Sequence, residues 1–345
     1  MPYCWKCGTE LDEDAKFCHV CGAPVEVTKV AIPDVRKRRT PFLMPVIILI
    51  AVLVGALVVA ALIFLPLQFV NFTQSEQAPS EADVKMLILD FSVDAAQINI
   101  VFENLTDKLV ILNVSATGYV GIFAPANPVD IVFDTKVTDN VLKVTSQVTT
   151  VAGWPWPYNL DVVCDLYIDP SVTLGINAKT AIGRIAMNTT SPVTLGILSL
   201  ETTTGAVKLS LANHTTISYV SVATTTGSIE FSCDNVEVSY NASVNLKTTT
   251  GSVMVKLEQN HRFGKEVLLN VEATTGGIDF VMLIRGAVGA KIEYSTAIGG
   301  TEAVATGFKG TESPLESNNF PAESNFLVNL RTVTGGIHVN ANYTP

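Results

Sequence analysis

Apolar and polar residues alternate along most of the second half of the chain, and the alternation restarts after each of seven glycines. These glycines follow threonine-rich stretches such as 247-KTTTG-251 and are separated by 22, 22, 24, 25, 23 and 36 residues. They are Gly183, Gly205, Gly227, Gly251, Gly276, Gly299 and Gly335. A nearly constant period of this length indicates a repeat architecture.

Each repeat contains two predicted strands. Inward-facing residues occur seven, five and three positions before the glycine and two, four and six positions after it. In the repeat around Gly251 these residues are Val244, Leu246, Thr248, Val253, Val255 and Leu257. The inward positions that flank the glycine are an odd number of residues apart, so an unbroken strand would place them on opposite faces. We therefore predict a corner in which the glycine adopts a positive φ.

The repeats predict an all-β domain over residues 86–345. Two architectures fit: a β-solenoid-like stack of coils, or a β-sandwich or prism built from hairpins. The solenoid is favoured, because the strands would pair in parallel across the period with no helix between them. Residues 86–170 alternate without a clear corner and are predicted to be strands that cap the domain, and residues 305–324 are predicted to be an inserted loop.

The longest apolar run covers residues 42–65 and contains 24 residues without a charge. A helix needs about 20 residues to cross a bilayer, so the run predicts a single transmembrane helix. The basic sequence 36-RKRR-39 lies in a juxtamembrane segment over 26–41, and acidic residues follow the helix in a predicted linker over 66–85. By the positive-inside rule we expect a cytoplasmic N-terminus, with residues 66–345 outside the cell membrane.

The charge balance and the asparagines agree with this topology. The 345-residue chain has a net charge of −10, most of it on the predicted outer part, which argues against nucleic acid as a partner. Seven Asn-x-Ser/Thr sequons lie on the predicted outer side. They begin at Asn71, Asn104, Asn113, Asn188, Asn213, Asn241 and Asn342.

Four of the six cysteines lie in 4-CWKCGTELDEDAKFCHVCG-22, as two C-x2-C pairs. Four thiolates complete a tetrahedral shell around Zn²⁺ and leave no open position, which predicts a structural and not a catalytic zinc site in a domain over residues 1–25. The predicted ligands are Cys4, Cys7, Cys18 and Cys21. Gly8 and Gly22 are expected to have positive φ, and His19 is expected to be a surface residue.

Both ends of the chain resemble known families. Residues 3–25 resemble the short zinc ribbon at the N-terminus of many prokaryotic membrane proteins. The strand–threonine–glycine–strand repeats over about 90–342 resemble an adhesin-type domain of unknown function, a β-strand-repeat family of prokaryotic surface proteins. That resemblance implies an extracytoplasmic β-solenoid-like domain, and it supplies neither a catalytic residue nor a ligand.

Two groups of residues are candidates for binding. The threonines one and two positions before the glycines face outward and would form a hydroxyl-rich strip, suited to a polysaccharide, an envelope glycan or ordered water. They are Thr203, Thr204, Thr225, Thr226, Thr249, Thr250, Thr274 and Thr275. The alternative is that threonine is simply a soluble strand and corner residue. Trp154 and Trp156 form a second candidate, a stiff apolar loop that either binds a partner or packs onto the cap.

The remaining side chains do not indicate an enzyme. Cys233 is at an inward position and is expected to pack as a small apolar residue, while a disulfide between Cys164 and Cys233 stays open. The sequence has no G-x-S-x-G, H-E-x-x-H or paired-carboxylate motif.

The predicted function is adhesion, or binding to an envelope component or glycan, by a membrane-anchored surface protein. The alternative is a transmembrane sensor whose zinc ribbon recruits a cytoplasmic protein partner. A carbohydrate-active enzyme is the third class.

Overall fold

The computed structural model describes residues 2–25, 43–64, 68–80, 83–120, 125, 127–151, 159–212 and 214–345. The predicted apolar helix is present as helix α1, Leu43–Phe64. Over Met44–Ala61 it is uncharged and none of it is buried by the protein, so it is long and apolar enough to cross a membrane.

The rest of the described chain beyond the helix is all β, as predicted, with 23 strands. In chain order they are β1 Gln68–Pro79, β2 Met86–Ala95, β3 Gln97–Phe102, β4 Lys108–Val120, β5 Val129–Thr138, β6 Val141–Thr150, β7 Asn159–Ile168, β8 Thr173–Ile182, β9 Ile185–Asn188, β10 Val193–Thr204, β11 Val207–Leu211, β12 Thr215–Thr226, β13 Ile229–Asp234, β14 Asn241–Thr250, β15 Val253–Gln259, β16 Glu266–Thr275, β17 Ile278–Arg285, β18 Val288–Ile298, β19 Thr301–Thr306, β20 Phe308–Lys309, β21 Leu315–Ser317, β22 Ser324–Thr334 and β23 Ile337–Thr344.

The strands form two large mixed sheets. The 11-stranded sheet has the order β1-β4-β7-β3-β9-β11-β13-β15-β17-β23-β19, and the 12-stranded sheet has the order β20-β21-β18-β22-β16-β14-β12-β10-β8-β2-β6-β5. Each repeat contributes the strand before its glycine to the 12-stranded sheet and the strand after it to the 11-stranded sheet. Equivalent strands of neighbouring repeats pair in parallel, and the buried residues of both sheets form one hydrophobic core.

The glycine corners have the geometry that the sequence predicts. All seven repeat glycines have φ between +141° and +155°, a region that residues with a side chain rarely adopt. A Cβ atom on Gly251 would overlap the backbone carbonyl of Gly227 in the adjacent repeat, and the same relation recurs from corner to corner. Glycine is therefore required both by the backbone conformation and by the close stacking of the repeats.

The threonine three residues before the glycine, present at every repeat corner except that of Gly276, completes the stacking. The Thr248 hydroxyl donates a hydrogen bond of 3.0 Å to the Gly227 carbonyl, and the Gly227 amide donates one of 2.9 Å to the Thr250 carbonyl. Equivalent hydroxyl bonds are made by Thr202, Thr224, Thr296 and Thr332. The threonine therefore satisfies a carbonyl that the turning chain would otherwise leave without a partner.

The repeat formed by β2 and β3 was not predicted from the sequence, because its corner lacks glycine. Strands β2 and β3 meet at Ala96, whose carbonyl accepts a hydrogen bond from the Thr180 hydroxyl of the next repeat. The inward positions match those of the other repeats, and all are buried. They are Leu89, Phe91, Val93, Ile98, Ile100 and Phe102. The prediction that residues 86–170 only cap the domain is thus wrong for β2 and β3.

The order of the repeats in space differs from their order in the chain. The last repeat, β22 with β23, lies between the repeat of β16 and β17 and the repeat of β18 and β19, and it pairs in parallel with both. Strand β19 is consequently the end of the 11-stranded sheet. This position explains its small inward residues, Ala303 and Ala305, because they face no further repeat.

Two segments predicted to be irregular contain strands. The linker predicted over 66–85 is wrong for Gln68–Pro79, which forms β1 and pairs antiparallel with β4 along its whole length. Its Gln, Ser and Glu side chains resemble those of a loop because an edge strand needs little apolar surface. The loop predicted over 305–324 likewise contains β20 and β21, which pair antiparallel and cover the edge of β18.

We expect Gly251→Ala to destabilise the β domain by more than about 2 kcal/mol, because the methyl group meets the Gly227 carbonyl at a positive φ. Gly300→Ala is the matched control, since a Cβ atom there meets nothing within 4 Å. Denaturant unfolding of the full chain in detergent, followed by far-UV circular dichroism, measures both. Equal stability of the two variants would contradict the stacking argument.

The corner hydrogen bond can be tested by removing it at one repeat and by adding it at another. Thr248→Val keeps the shape but leaves the Gly227 carbonyl without its hydroxyl donor, which should cost about 1–2 kcal/mol. Ala273 occupies the threonine position of its own repeat, so Ala273→Thr should supply a hydroxyl to Gly251 and raise the unfolding midpoint. A loss of stability on Thr248→Val as small as that of a surface Thr→Val change would exclude the proposed bond.

Candidate functional site

The four predicted zinc ligands lie together at the N-terminus. The sulfur atoms of Cys4, Cys7, Cys18 and Cys21 all lie within 4.8 Å of one another. The Sγ atoms of Cys4 and Cys21 are 3.7 Å apart, and those of Cys7 and Cys18 are 3.6 Å apart. Zn–S bonds of about 2.3 Å in a tetrahedron place neighbouring sulfurs about 3.8 Å apart, so the cluster has the size that Zn²⁺ requires.

Two similar turns aim the sulfurs at the same point. The Gly8 amide donates to the Cys4 carbonyl at 2.9 Å, and the Gly22 amide donates to the Cys18 carbonyl at 2.8 Å. Gly8 and Gly22 have φ values of +77° and +70°, which confirms the prediction for both glycines. His19 is exposed and is not part of the sulfur cluster, as expected.

Hydrogen bonds around the cluster shift the pKa values of two of the four thiols in opposite directions. Hydrogen bonds from the Thr9 hydroxyl and amide lower the pKa of the Cys7 thiol to about 6. The Ala23 amide lowers the pKa of Cys21, but the hydrogen bond with the Cys7 sulfur, desolvation, and the contacts with the Cys18 and Cys4 sulfurs together outweigh it and raise that pKa to about 12. Four sulfurs this close cannot all become thiolates unless a bound cation neutralises them.

The zinc-ribbon segment also exposes apolar side chains that the sequence analysis did not single out. Trp5 is 77% exposed and Tyr3 is 66% exposed, and both line a groove of about 530 Å³ together with Leu11 and Pro24. The Trp5 indole donates a hydrogen bond of 3.3 Å to the Pro24 carbonyl, which fixes the ring against the groove. An exposed, fixed aromatic side chain is a common anchor in protein interfaces.

The eight outward threonines are exposed along the glycine corners. We call this edge of the β domain the threonine corner, defined by the two residues that precede each repeat glycine. Thr204, Thr226, Thr250 and Thr275 occupy equivalent positions on consecutive strands. Thr203, Thr225, Thr249 and Thr274 precede them and are exposed as well. The exposure agrees with the prediction, whereas binding at these residues stays a prediction.

The threonine corner extends one repeat further than the sequence analysis indicated. Thr334 pairs with Thr275 because the last repeat is inserted at that place. Five threonines thus follow one another at the strand spacing of about 4.8 Å. The exposed Ile182 and Ile298 occupy the equivalent positions at the two ends of this row.

Of the other predicted residues, the structure describes the two cysteines of the β domain but not the two tryptophans. Trp154 and Trp156 lie outside the described residues. Cys164 and Cys233 are buried free cysteines, and desolvation raises the pKa of each thiol to about 12. Their strands, β7 and β13, are four positions apart in one sheet, or about 19 Å, which excludes a disulfide between them.

The outer histidines do not form a catalytic arrangement with one another in the part of the β domain that the structure describes. His338 Nδ1 lies 3.3 Å from a Glu302 carboxylate oxygen, and His214 Nδ1 lies 3.6 Å from one of Glu237. Both pairs are exposed, so they are surface contacts between side chains.

The N-terminal segment matches a known protein family. Residues 3–25 match the family model of the zinc-ribbon domain, which confirms the resemblance at the N-terminus. No curated protein sequence matches the chain at a significant level.

Among solved structures, the β domain is similar to proteins described as candidate adhesins. One, a candidate cell adhesion protein from Clostridium sporogenes, is 13% identical, covers 79% of this chain and 100% of its own, and has a TM-score of 0.38. A candidate adhesin from Bacteroides fragilis is 12% identical, with 79% and 98% covered and a TM-score of 0.28. A third, from Parabacteroides merdae, is 9% identical, with 78% and 95% covered and a TM-score of 0.27.

We expect a strong zinc chelator to unfold residues 2–25 while the β domain keeps its structure. The ribbon buries few apolar side chains, chiefly Leu11 and Ala23, so most of its folding energy must come from the metal. Limited proteolysis of the full chain with and without chelator measures the effect, and zinc added back should restore protection. A ribbon that resists protease in the chelator would contradict the metal site.

Proposed function

We propose that the protein is a single-pass membrane protein with its zinc ribbon in the cytoplasm and its β domain outside. Support for the orientation comes from the basic residues Arg36–Arg39 before helix α1 and from the absence of basic residues between the helix and Lys85. The zinc ion then has a structural role, because four cysteines fill its coordination shell and leave no place for a substrate.

The proposed architecture of the outer domain is a β-solenoid. Each repeat places its two strands in different sheets, and each strand pairs in parallel with its equivalent in the next repeat. In a sandwich or prism of hairpins, the two strands of one repeat would instead pair with each other. The solenoid therefore accounts best for the pairing.

The proposed function is attachment to a carbohydrate polymer of the cell envelope or of another surface through the threonine corner. The observation that carries this proposal is the row of five exposed threonines, Thr204, Thr226, Thr250, Thr275 and Thr334, in register on adjacent strands. Hydroxyl groups both donate and accept hydrogen bonds, so a repeating uncharged row suits a ligand with repeating hydroxyls. Such a role needs no catalytic group.

A pair of substitutions tests this role. Thr226→Val with Thr250→Val removes two central hydroxyls and keeps strand propensity and shape, so binding to a polysaccharide panel should fall at least tenfold. The assay uses the full chain in lipid nanodiscs and measures retention on immobilised envelope polysaccharides.

Thr135→Val with Thr145→Val is the matched control, because these exposed threonines lie on β5 and β6, away from the corner. Equal loss of retention in both double variants would indicate a general surface effect and would overturn the proposal. Binding that survives the corner variant unchanged would also overturn it.

A sensor is the second candidate function, and the exposed aromatic groove of the zinc ribbon favours it. The Trp5 and Tyr3 side chains are largely exposed and line the groove, so they offer apolar surface to a partner. In this role the β domain contacts the envelope, and the ribbon recruits a cytoplasmic protein through the groove.

A further inference from the structure

The asparagines of the sequons are distributed unevenly over the repeats. We call the edge opposite the threonine corner, where the strands that follow the corners end, the loop corner. Of the six sequon asparagines in described residues, four lie at this edge: Asn104 follows β3, Asn188 ends β9, Asn241 begins β14, and Asn342 lies near the end of β23. The other two, Asn71 and Asn113, lie within β1 and β4. Among the described repeats, no sequon asparagine lies at the threonine corner.

The four asparagines are accessible. Asn104, Asn188, Asn241 and Asn342 are all exposed. The hydroxyl residues that complete three of these sequons, Thr106, Thr190 and Thr344, are exposed too, and Ser243 is half-buried. The carboxamide of each site, and the hydroxyl residue of three of them, are therefore at the surface of the folded domain.

The asparagines on the outer face of the 12-stranded sheet are of a different kind. Asn329 donates to Asn270 at 3.0 Å, and Asn270 donates to Asn245 at 2.9 Å, so their carboxamides bond one another along the sheet. Two residues after each stands a charged side chain and not a hydroxyl. These side chains are Lys247, Glu272 and Arg331, and Asn177 has Lys179 in the same place.

We propose that the loop corner is a glycosylation edge, with N-linked glycans on Asn104, Asn188, Asn241 and Asn342. The inference rests on the outward orientation of the β domain that is proposed above. The sequon at residues 213–215 is not in this set, because the Thr215 side chain is fully buried and shares a hydrogen bond of 2.8 Å with Thr189.

The co-reactant is a lipid-linked oligosaccharide, used by a membrane oligosaccharyltransferase. The asparagine Nδ2 forms a bond to the anomeric carbon of the first sugar and loses one proton. The bond between that carbon and the phosphate oxygen breaks, and the lipid phosphate leaves with the electron pair. No oxidation or reduction takes place, and the product is an N-glycosidic amide.

The placement leaves the threonine corner and the outer face of the 12-stranded sheet without attached sugar. Glycans are bulky and hydrated, so they would block a partner along the edge that carries them. The β domain would thus approach its ligand with the threonine corner and present glycans on the opposite edge.

The test is peptide mapping by mass spectrometry of the full-length protein, purified from the membranes of its native host. We expect glycan mass on the peptides that contain the four loop-corner asparagines, and none on Asn177, Asn245, Asn270 or Asn329. Four unmodified loop-corner sites would overturn the proposal, and so would glycans on the sheet asparagines.

A pair of variants gives a matched control for one site. Thr190→Ala removes the hydroxyl of the Asn188 sequon and should lose one glycan, whereas Thr190→Ser keeps the sequon and should keep the glycan. Loss of glycan in both variants, or in neither, would contradict recognition of this sequon.

A separate topology measurement distinguishes this inference from the proposed function. Protease added to intact cells should digest the β domain and spare the zinc ribbon. An accessible β domain without glycans would overturn the glycosylation edge alone, and a protected β domain would overturn the orientation together with it.

Discussion

The β domain depends on the contact between the glycine of one corner and the glycine carbonyl of the neighbouring corner. The two backbones are so close that a methyl group on Gly227 or Gly251 would overlap the carbonyl oxygen of the glycine in the neighbouring corner. This closeness lets six of the seven glycine amides, and the corner threonine hydroxyls such as those of Thr224 and Thr248, bond to carbonyls of the adjacent repeats. Because each repeat contacts its neighbours in the same way, stability accumulates repeat by repeat and no single centre holds the domain.

The zinc ribbon and the β domain are stabilised in different ways. The zinc ribbon has too few residues to bury a hydrophobic core, and its four cysteines offer a metal shell instead. The β domain continues one apolar layer through all its repeats, so even a poor repeat such as that of β19 is held by its neighbour. Loss of metal and loss of a corner should therefore affect the molecule independently.

Much of this organisation could be read from the sequence, and the failures have physical causes. The positive φ of Gly251, the burial of Thr248 and the exposure of Thr250 follow from the parity of the alternation. The repeat at Ala96 was not predicted because its corner has no glycine, although the alternation of apolar and polar residues on both sides of Ala96 is intact. Strand β1 was missed because an edge strand keeps most of its surface in water. The order of the repeats could not be predicted at all, since equivalent residues make equivalent contacts in any order. The sequence names no ligand for the proposed binding at the threonine corner, because rows of hydroxyl groups suit many polar polymers.

The insertion of the last repeat between two earlier ones has a consequence for synthesis. The strands over Ser324–Thr344 supply the parallel partners of β16 and β18 in one sheet and of β17 and β19 in the other. Until these two strands are in place, the amides and carbonyls along those edges lack their partners. A chain that lacks β22 and β23 would therefore expose unpaired strand edges within the stack, and such edges favour aggregation.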